Sequence, residues 1–286
     1  MKMCLLVISV LLVLGFPFIM TAVVDSFTAC NSFFFKEQPP EIEGVLENST
    51  SQDNNRYKLI CQKYESDYRF ATLYDRRAKI PLFSAYKYTG LYEGRPHIPW
   101  MIEPQLEPLD GTMSKPGVYQ ALQGDYWNQK KLECGHLFPR SHAPDETTAE
   151  STFTLTNTVP QKITFNNGSW RLMEQEVRKY LNSNCHDQNN IDNILAYVLT
   201  GAVPSKEQLL NKRVNIPSHM WTVFCCYNGN SKEWVSQAHW APNKDEKNPN
   251  PIAAKTLREL EEFLWDKYGQ TSLFSESCFN FERRSD

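Results

Sequence analysis

Beyond Asp25 the sequence has no apolar run long enough to cross a bilayer, which leaves only the N-terminus as a possible membrane anchor. It lacks an excess of basic charge: 30 Lys and Arg stand against 33 Asp and Glu, a formal net charge of -3 over 286 residues. That excludes a polybasic nucleic-acid coat. Residues 130–179, where the strongest motifs fall, are also close to neutral, so any phosphate-binding surface there must be local and partly metal-based. There is no internal repeat, no low-complexity block and no linker rich in Pro, Gly and Ser. Residues 23–286 are therefore expected to fold as one domain. No second Cys or His pair completes tetrahedral spacing around Cys134, His136 and His142, which argues against a zinc site.

What is present begins with a leader. Lys2 gives a positive start, residues 5–19 are almost unbroken apolar sequence, and Met20-Thr21-Ala22 offers a small residue for cleavage. The pattern reads as a signal peptide over residues 1–22 and implies a secreted, extracellular protein. Cysteine usage agrees. Of the eight cysteines Cys4 leaves with the leader, and Cys30, Cys61, Cys134, Cys185, Cys225, Cys226 and Cys278 remain, an odd set. In an oxidising compartment all but one would pair. Cys30 is expected to pair with Cys61. Cys185 and Cys278 are expected to pair with the Cys225-Cys226 doublet, in an order the sequence leaves open, and Cys134 is the odd one. Asn48-Ser49-Thr50 and Asn167-Gly168-Ser169 are N-glycan acceptors. Neighbouring helical residues point about 100° apart, so a glycan on Asn167 need not fill a cleft on the Asn166 face.

Alternation and turn residues predict strands over 57–62, 69–74, 81–88, 134–138, 153–155, 193–200, 214–227 and 235–241. An N-terminal arm over 23–55 is tied down by Cys30. Residues 93–123 read as a long loop, with a short helix over 118–127. Helices are expected over 164–182, with Gly168 as a weak point, and over 252–268, where Leu257, Leu260, Leu264 and Trp265 recur at helical spacing. The intermixed elements make an α+β fold with a mostly antiparallel sheet.

Asn166, Trp170, Glu174 and Arg178 recur every four residues, which places them on one face of one helix. Upstream lies Glu133-Cys134-Gly135-His136. His136 sits on a short strand ended by Pro139, where an imidazole can take a proton from an attacking water. Asn166 is a neutral oxygen ligand of the kind magnesium accepts while keeping most of its waters. Glu174 can hold a metal-bound water, and Arg178 can pair with a phosphate oxygen.

The full ladder Asn157, Gln161, Asn166, Trp170, Glu174, Arg178, with the Glu-Cys-Gly-His motif before it, resembles the DNA/RNA non-specific endonuclease family of the ββα-metal (His-Me finger) superfamily. Thr200-Gly201, Ile216-Pro217-Ser218 before Trp221, and Arg95 with Trp100 and Glu103-Pro104 extend the likeness over about residues 69–268. The resemblance implies a ββα-metal finger core. It implies His136 as general base and Asn166 as direct ligand of Mg2+ or another divalent cation such as Mn2+. It further implies Asn157 ordering the site, Glu174 holding metal waters, and Arg178 and Arg95 at the phosphate, with DNA and RNA as substrates.

Two positions depart from the family pattern: Glu133 stands where the family has Asp, a mild change of one methylene, and the second change is severe. Cys134 stands where the family has Arg, and a thiol supplies neither the charge nor the fork of donors of a guanidinium. Loss of one such contact costs about 2.7–4 kcal/mol, roughly 10² to 10³ in rate. The chain is therefore expected to be a metal-dependent endonuclease slowed at this position. The alternative is a secreted glycoprotein that keeps the fold and binds nucleic acid or a protein partner. A thiol hydrolase built on Cys134 and His136 is disfavoured, because a nucleophilic Cys draws its His from elsewhere in the fold.

Overall fold

Strand-forming segments from both halves of the chain meet in one antiparallel sheet. Its order is Ala22–Val24, Tyr57–Tyr64, Asp67–Asp75, Ile80–Tyr88, Ala196–Val203 and His219–Asn228. Glu233–Pro242 pairs with one edge of His219–Asn228, and the short Cys185–His186 pairs near the end of that same strand. The molecule is seen in a computed structural model that describes residues 22–107 and 117–278. Apart from Ala22, the expected signal peptide lies outside the described residues.

Both faces of the sheet are covered, so its central strands are buried at almost every position. Successive side chains on a strand point to opposite faces. One set, including Leu59, Leu73, Phe83, Leu199 and Val223, packs under the N-terminal arm through Phe27, Phe34 and Phe35. Leu257, Leu260 and Leu264 of the C-terminal helix close the same layer. The other set, including Phe70, Tyr86, Val198 and Phe224, packs against Phe138, Phe165, Met173, Val177 and Leu181. That second layer carries the candidate site.

The same alternation resolves the cysteine doublet. Cys225 and Cys226 are consecutive on one strand and therefore belong to opposite layers. Cys225 pairs with Cys278 on the arm side, and Cys226 pairs with Cys185 at the end of the site helix. Cys30 pairs with Cys61, and Cys134 is the free cysteine among the described residues.

Several expected elements differ in extent. The 153–155 strand is absent: Thr154 makes only an isolated bridge to Met101, a tight turn follows over Leu155–Asn157, and the strand is Thr158–Lys162. The 134–138 strand sits two residues earlier, at Leu132–His136. The short helix over 118–127 shrinks to one 3₁₀ turn at Gln123–Tyr126. The 214–227 strand divides at Ile216-Pro217-Ser218 into Val214–Asn215 and His219–Asn228. The C-terminal helix starts only at Leu257, because Thr256 and Glu259 form a capping box there; Lys255 is still bridged to Ala238. Trp265, expected on its apolar face, is 58% exposed.

Candidate active site

Three pieces build the site layer. Leu132–His136 and Thr158–Lys162 pair as an antiparallel ribbon, with Glu133 opposite Gln161 and His136 opposite Thr158. Gly135 lets the ribbon close, since a Cβ there would collide with the Gln161 side chain. The chain then enters a helix, so the arrangement is β, β, α. Asn157 pins the connection between the strands. Its Oδ1 accepts from the Phe138 N–H at 2.9 Å and from Ser84 Oγ at 2.9 Å, and its Nδ2 donates to the Phe138 and Thr152 carbonyls at 3.1 Å each. All its capacity is spent and the residue is fully buried. Asn157 thus sits beneath His136 as a scaffold residue and does not reach the cleft.

The helix is not the uninterrupted one expected over 164–182. Ile163–Phe165 and Arg171–Asn184 are α-helical, but Asn166–Trp170 forms a widened turn in which the Arg171 N–H donates back to the Asn166 carbonyl. Gly168 is non-helical there (φ -100, ψ -117). A side chain at 168 would press on Glu246 and Pro249. Glu246 holds the turn from outside, accepting from Ser169 N at 3.1 Å and Ser169 Oγ at 2.6 Å. Nearby, Asn243 accepts from Lys162 N and donates to the Pro160 and Pro217 carbonyls, fastening the ribbon to the sheet. No sequence motif pointed to this loop.

Even along the regular helix, each four-residue step overshoots a full turn by about 40°. Trp170, in the widened turn, faces the core at 1% exposure, while Asn166, Glu174 and Arg178 line the cleft. The cleft encloses about 700 Å³. It brings together His136, Asn166, Glu174, Arg178 and Arg95, together with Glu133, Cys134 and Arg140. Of the residues expected at the site, only Asn157 is left out.

His136 lies between Trp100 and Phe153, with ring centroids at 5.0 and 5.1 Å. Its Nε2 is buried and has no hydrogen-bond partner. Burial pushes the imidazole down to about 4, and the Arg140 and Arg95 guanidinium groups push the same way. Burial raises Glu174 to about 7, against the opposing pull of the Trp170 indole, Arg178 and Arg171. Burial, then the neighbouring Glu133 charge, lifts the Cys134 thiol to about 12, so it is protonated at neutral pH. Arg140 is fixed by a 2.7 Å bond from Nη1 to the Gly94 carbonyl, and burial, Arg95 and Arg178 all lower its pKa. It turns into the cleft.

Glu133 organises the corner of the cleft around Asn166. One carboxylate oxygen accepts from Asn166 Nδ2 at 2.8 Å and from Asn167 Nδ2 at 2.6 Å. Both asparagines therefore turn their side-chain amides to the same atom, although they are neighbours in the chain. Asn167, the glycan acceptor, lines the cleft. Phe153 and Tyr126 also line it, and neither carried a signal in the sequence, Phe153 having read as strand.

Comparison with known proteins agrees with this geometry. Residues 52–269 match the model of the DNA/RNA non-specific endonuclease family. The chain is 30% identical over 213 residues to the human (Homo sapiens) endonuclease domain-containing 1 protein, covering 70% of this chain and 39% of that one. It is 29% identical over 272 residues to the mouse (Mus musculus) protein of the same name, covering 90% and 49%. The chain thus spans less than half the length of these curated relatives. Among solved structures, a chain from the crystal structure of the EndoG/EndoGI complex superposes with a TM-score of 0.54 at 19% identity, over 69% of this chain and 81% of that one.

Proposed function

Because the chain belongs to the DNA/RNA non-specific endonuclease family, we propose that it hydrolyses phosphodiester bonds of DNA and RNA in the cleft around His136, with a divalent cation as cofactor. The observation that carries this reading is the unpartnered, buried Nε2 of His136, set in one cleft with Asn166, Glu174 and four arginines, Arg95, Arg140, Arg171 and Arg178. An imidazole held neutral, with a free lone pair, is suited to take the proton of an attacking water. Arg95, Arg140 and Arg178 supply the positive field for the phosphate between them. A phosphate bound there would offset the charges that depress His136 and raise its basicity during attack.

The donors fit a hard cation. Asn166 gives its amide hydrogen to Glu133, so its Oδ1 is the atom left for a ligand, and Glu133 and Glu174 add carboxylate oxygens. Asn166 would hold Mg2+ or Mn2+ directly, and Glu174 would orient its waters. When bound, the ion would neutralise charge on the reacting phosphate and the leaving oxygen. The arginines of the cleft suit phosphate, which DNA and RNA share, and this supports action on both.

Secretion into an oxidising compartment is part of the proposal. The three disulfides support it, and no helix among the described residues is long and apolar enough to cross a membrane. The second reading, a slow or inactive binding glycoprotein, is favoured by one observation: a protonated Cys134 in place of the family's Arg. Plasmid DNA and RNA incubated with magnesium or with chelator decide between them. Magnesium-dependent cleavage that disappears in His136→Ala supports the enzyme. A silent wild type that gains cleavage in Cys134→Arg supports the binding glycoprotein.

A further inference from the structure

A second concave site lies away from the cleft, where the turn after Asp67–Asp75 meets residues 118–119. It encloses about 390 Å³ and is lined by Arg56, Arg76, Arg77, Lys79 and Tyr119, with Asp53 as its acidic member. The Asp53 carboxylate is turned to its own loop, accepting from Asn55 N and Arg56 N. Arg56 alone is neutralised, by Asp75 at 2.8 Å, and Asp75 has no exposed side-chain surface. Arg76 stacks its guanidinium on the Tyr119 ring at 3.5 Å from the centroid, and its Nε has no hydrogen-bond partner. Arg77 and Lys79 make no ion pair among the described residues. A chain of net charge -3 thus brings four cations together in one small concavity beside a half-buried aromatic ring.

Cations with unused donors, set around an aromatic plane, are the chemistry that receives a polyanion carrying bases: phosphates meet the charges and a base meets the ring. The site is tied to the cleft by a short rigid path. Tyr119 lines the basic pocket and Tyr126 lines the cleft. The segment between them is stapled by Arg213, which donates to Asp125 Oδ1 at 2.7 Å and to the Gly117 and Gln120 carbonyls at 2.9 Å. Seven residues span at most roughly 25 Å, which is about seven base pairs at about 3.4 Å each.

We propose that this pocket is an exosite that grips the backbone of a nucleic acid extending out of the cleft, so that Arg77 and Lys79 select long chains over short ones. The identity of the ligand rests on the nuclease reading; the site itself does not. The experiment is fluorescence anisotropy in chelator, where no cleavage occurs, with DNA hairpins of about 6 and about 30 base pairs. Arg77→Glu/Lys79→Glu should weaken binding of the long duplex by at least about tenfold. It should also reduce the slope of log K against log salt by about 2, while leaving the short hairpin unchanged. Both side chains reach solvent, and Arg77→Ala/Lys79→Ala is a milder variant expected to move the same way; melting curves check folding. Equal binding by wild type and variants at the long length overturns the exosite, as does an equal loss at both lengths. Tighter wild-type binding to a sulfated polysaccharide through the same two residues overturns the nucleic-acid assignment. Cleavage with magnesium is read separately: length-dependent binding without cleavage sinks the nuclease reading and keeps the exosite.

Discussion

Asn166 donates its side-chain amide to Glu133 across 2.8 Å, from the widened helical turn to the finger strand. This bond spans the two elements of the site and fixes which end of the Asn166 amide is free. Removing its acceptor should loosen the proposed metal ligand without emptying the cleft. Glu133→Ala is expected to raise the magnesium concentration for half-maximal cleavage by roughly 10- to 100-fold, as losses in a ligand's support typically do. The melting temperature should move little, because Glu133 is half-exposed. An unchanged magnesium dependence would show that Asn166 is held by the turn alone.

The depressed pKa of His136 gives a prediction with a definite sign. Its imidazole titrates near 4 when folded, against an ordinary value of 6.5. The unfolded chain therefore binds more protons between those values, and this residue's contribution to stability is lost as pH falls from 6.5 through 4. Arg140→Ala removes one of the cations that depress it, so the imidazole should titrate higher, as followed by NMR of labelled histidine. His136→Ala should lower the cleavage rate by about 10² to 10⁴. A titration near 6.5 in the wild type would mean that the ring is solvated and not poised beside the arginines.

Much of this was legible in the sequence because spacing constrains local geometry strongly. The central strands and the helical spacing of Asn166, Glu174 and Arg178 rest on short-range patterns, and Cys134 as the odd thiol rests on the cysteine count; the ββα order and the meeting of His136 with that helix were implied by the family resemblance. What escaped depended on contacts between distant segments. Glu246, some 80 residues from Ser169 in sequence, stabilises a turn that no helical pattern announces. The order of pairing at Cys225 and Cys226 needed the two layers, because alternation says only that they differ in face. Phe153 read as strand because an aromatic among threonines fits a pleat; its actual place is against His136. Asn157 carried the right letter for a site residue, and only its four satisfied hydrogen bonds reveal it as scaffold.

Cys134 should behave as an inert thiol and as the point where rate was given up. With its pKa raised to about 12, alkylation by iodoacetamide at pH 8 is expected to be far slower than that of an ordinary thiol. Glu133→Gln removes the second cause of the rise and should speed it. Cys134→Arg restores a guanidinium beside Arg95, Arg140 and Arg178, and cleavage should increase by roughly 10² to 10³. No gain would indicate that Arg140, anchored on Gly94, already supplies that charge.

The contacts of Asn167 decide what a glycan there would do. Asn167 Nδ2 spends both hydrogens, on Glu133 at 2.6 Å and on the Ile163 carbonyl at 3.2 Å. N-glycosylation replaces one of them with a sugar, so one bond must break, and the sugar would stand at the cleft beside Glu133 and Asn166. Secreted protein carrying a glycan at Asn167 is therefore expected to cleave plasmid at least about tenfold more slowly than Asn167→Gln made in the same cells. Bacterially made wild type and Asn167→Gln, neither of them glycosylated, should differ little. Peptide mass spectrometry establishes occupancy in each preparation. Equal rates for fully occupied wild type and the variant would place the sugar outside the path of the substrate.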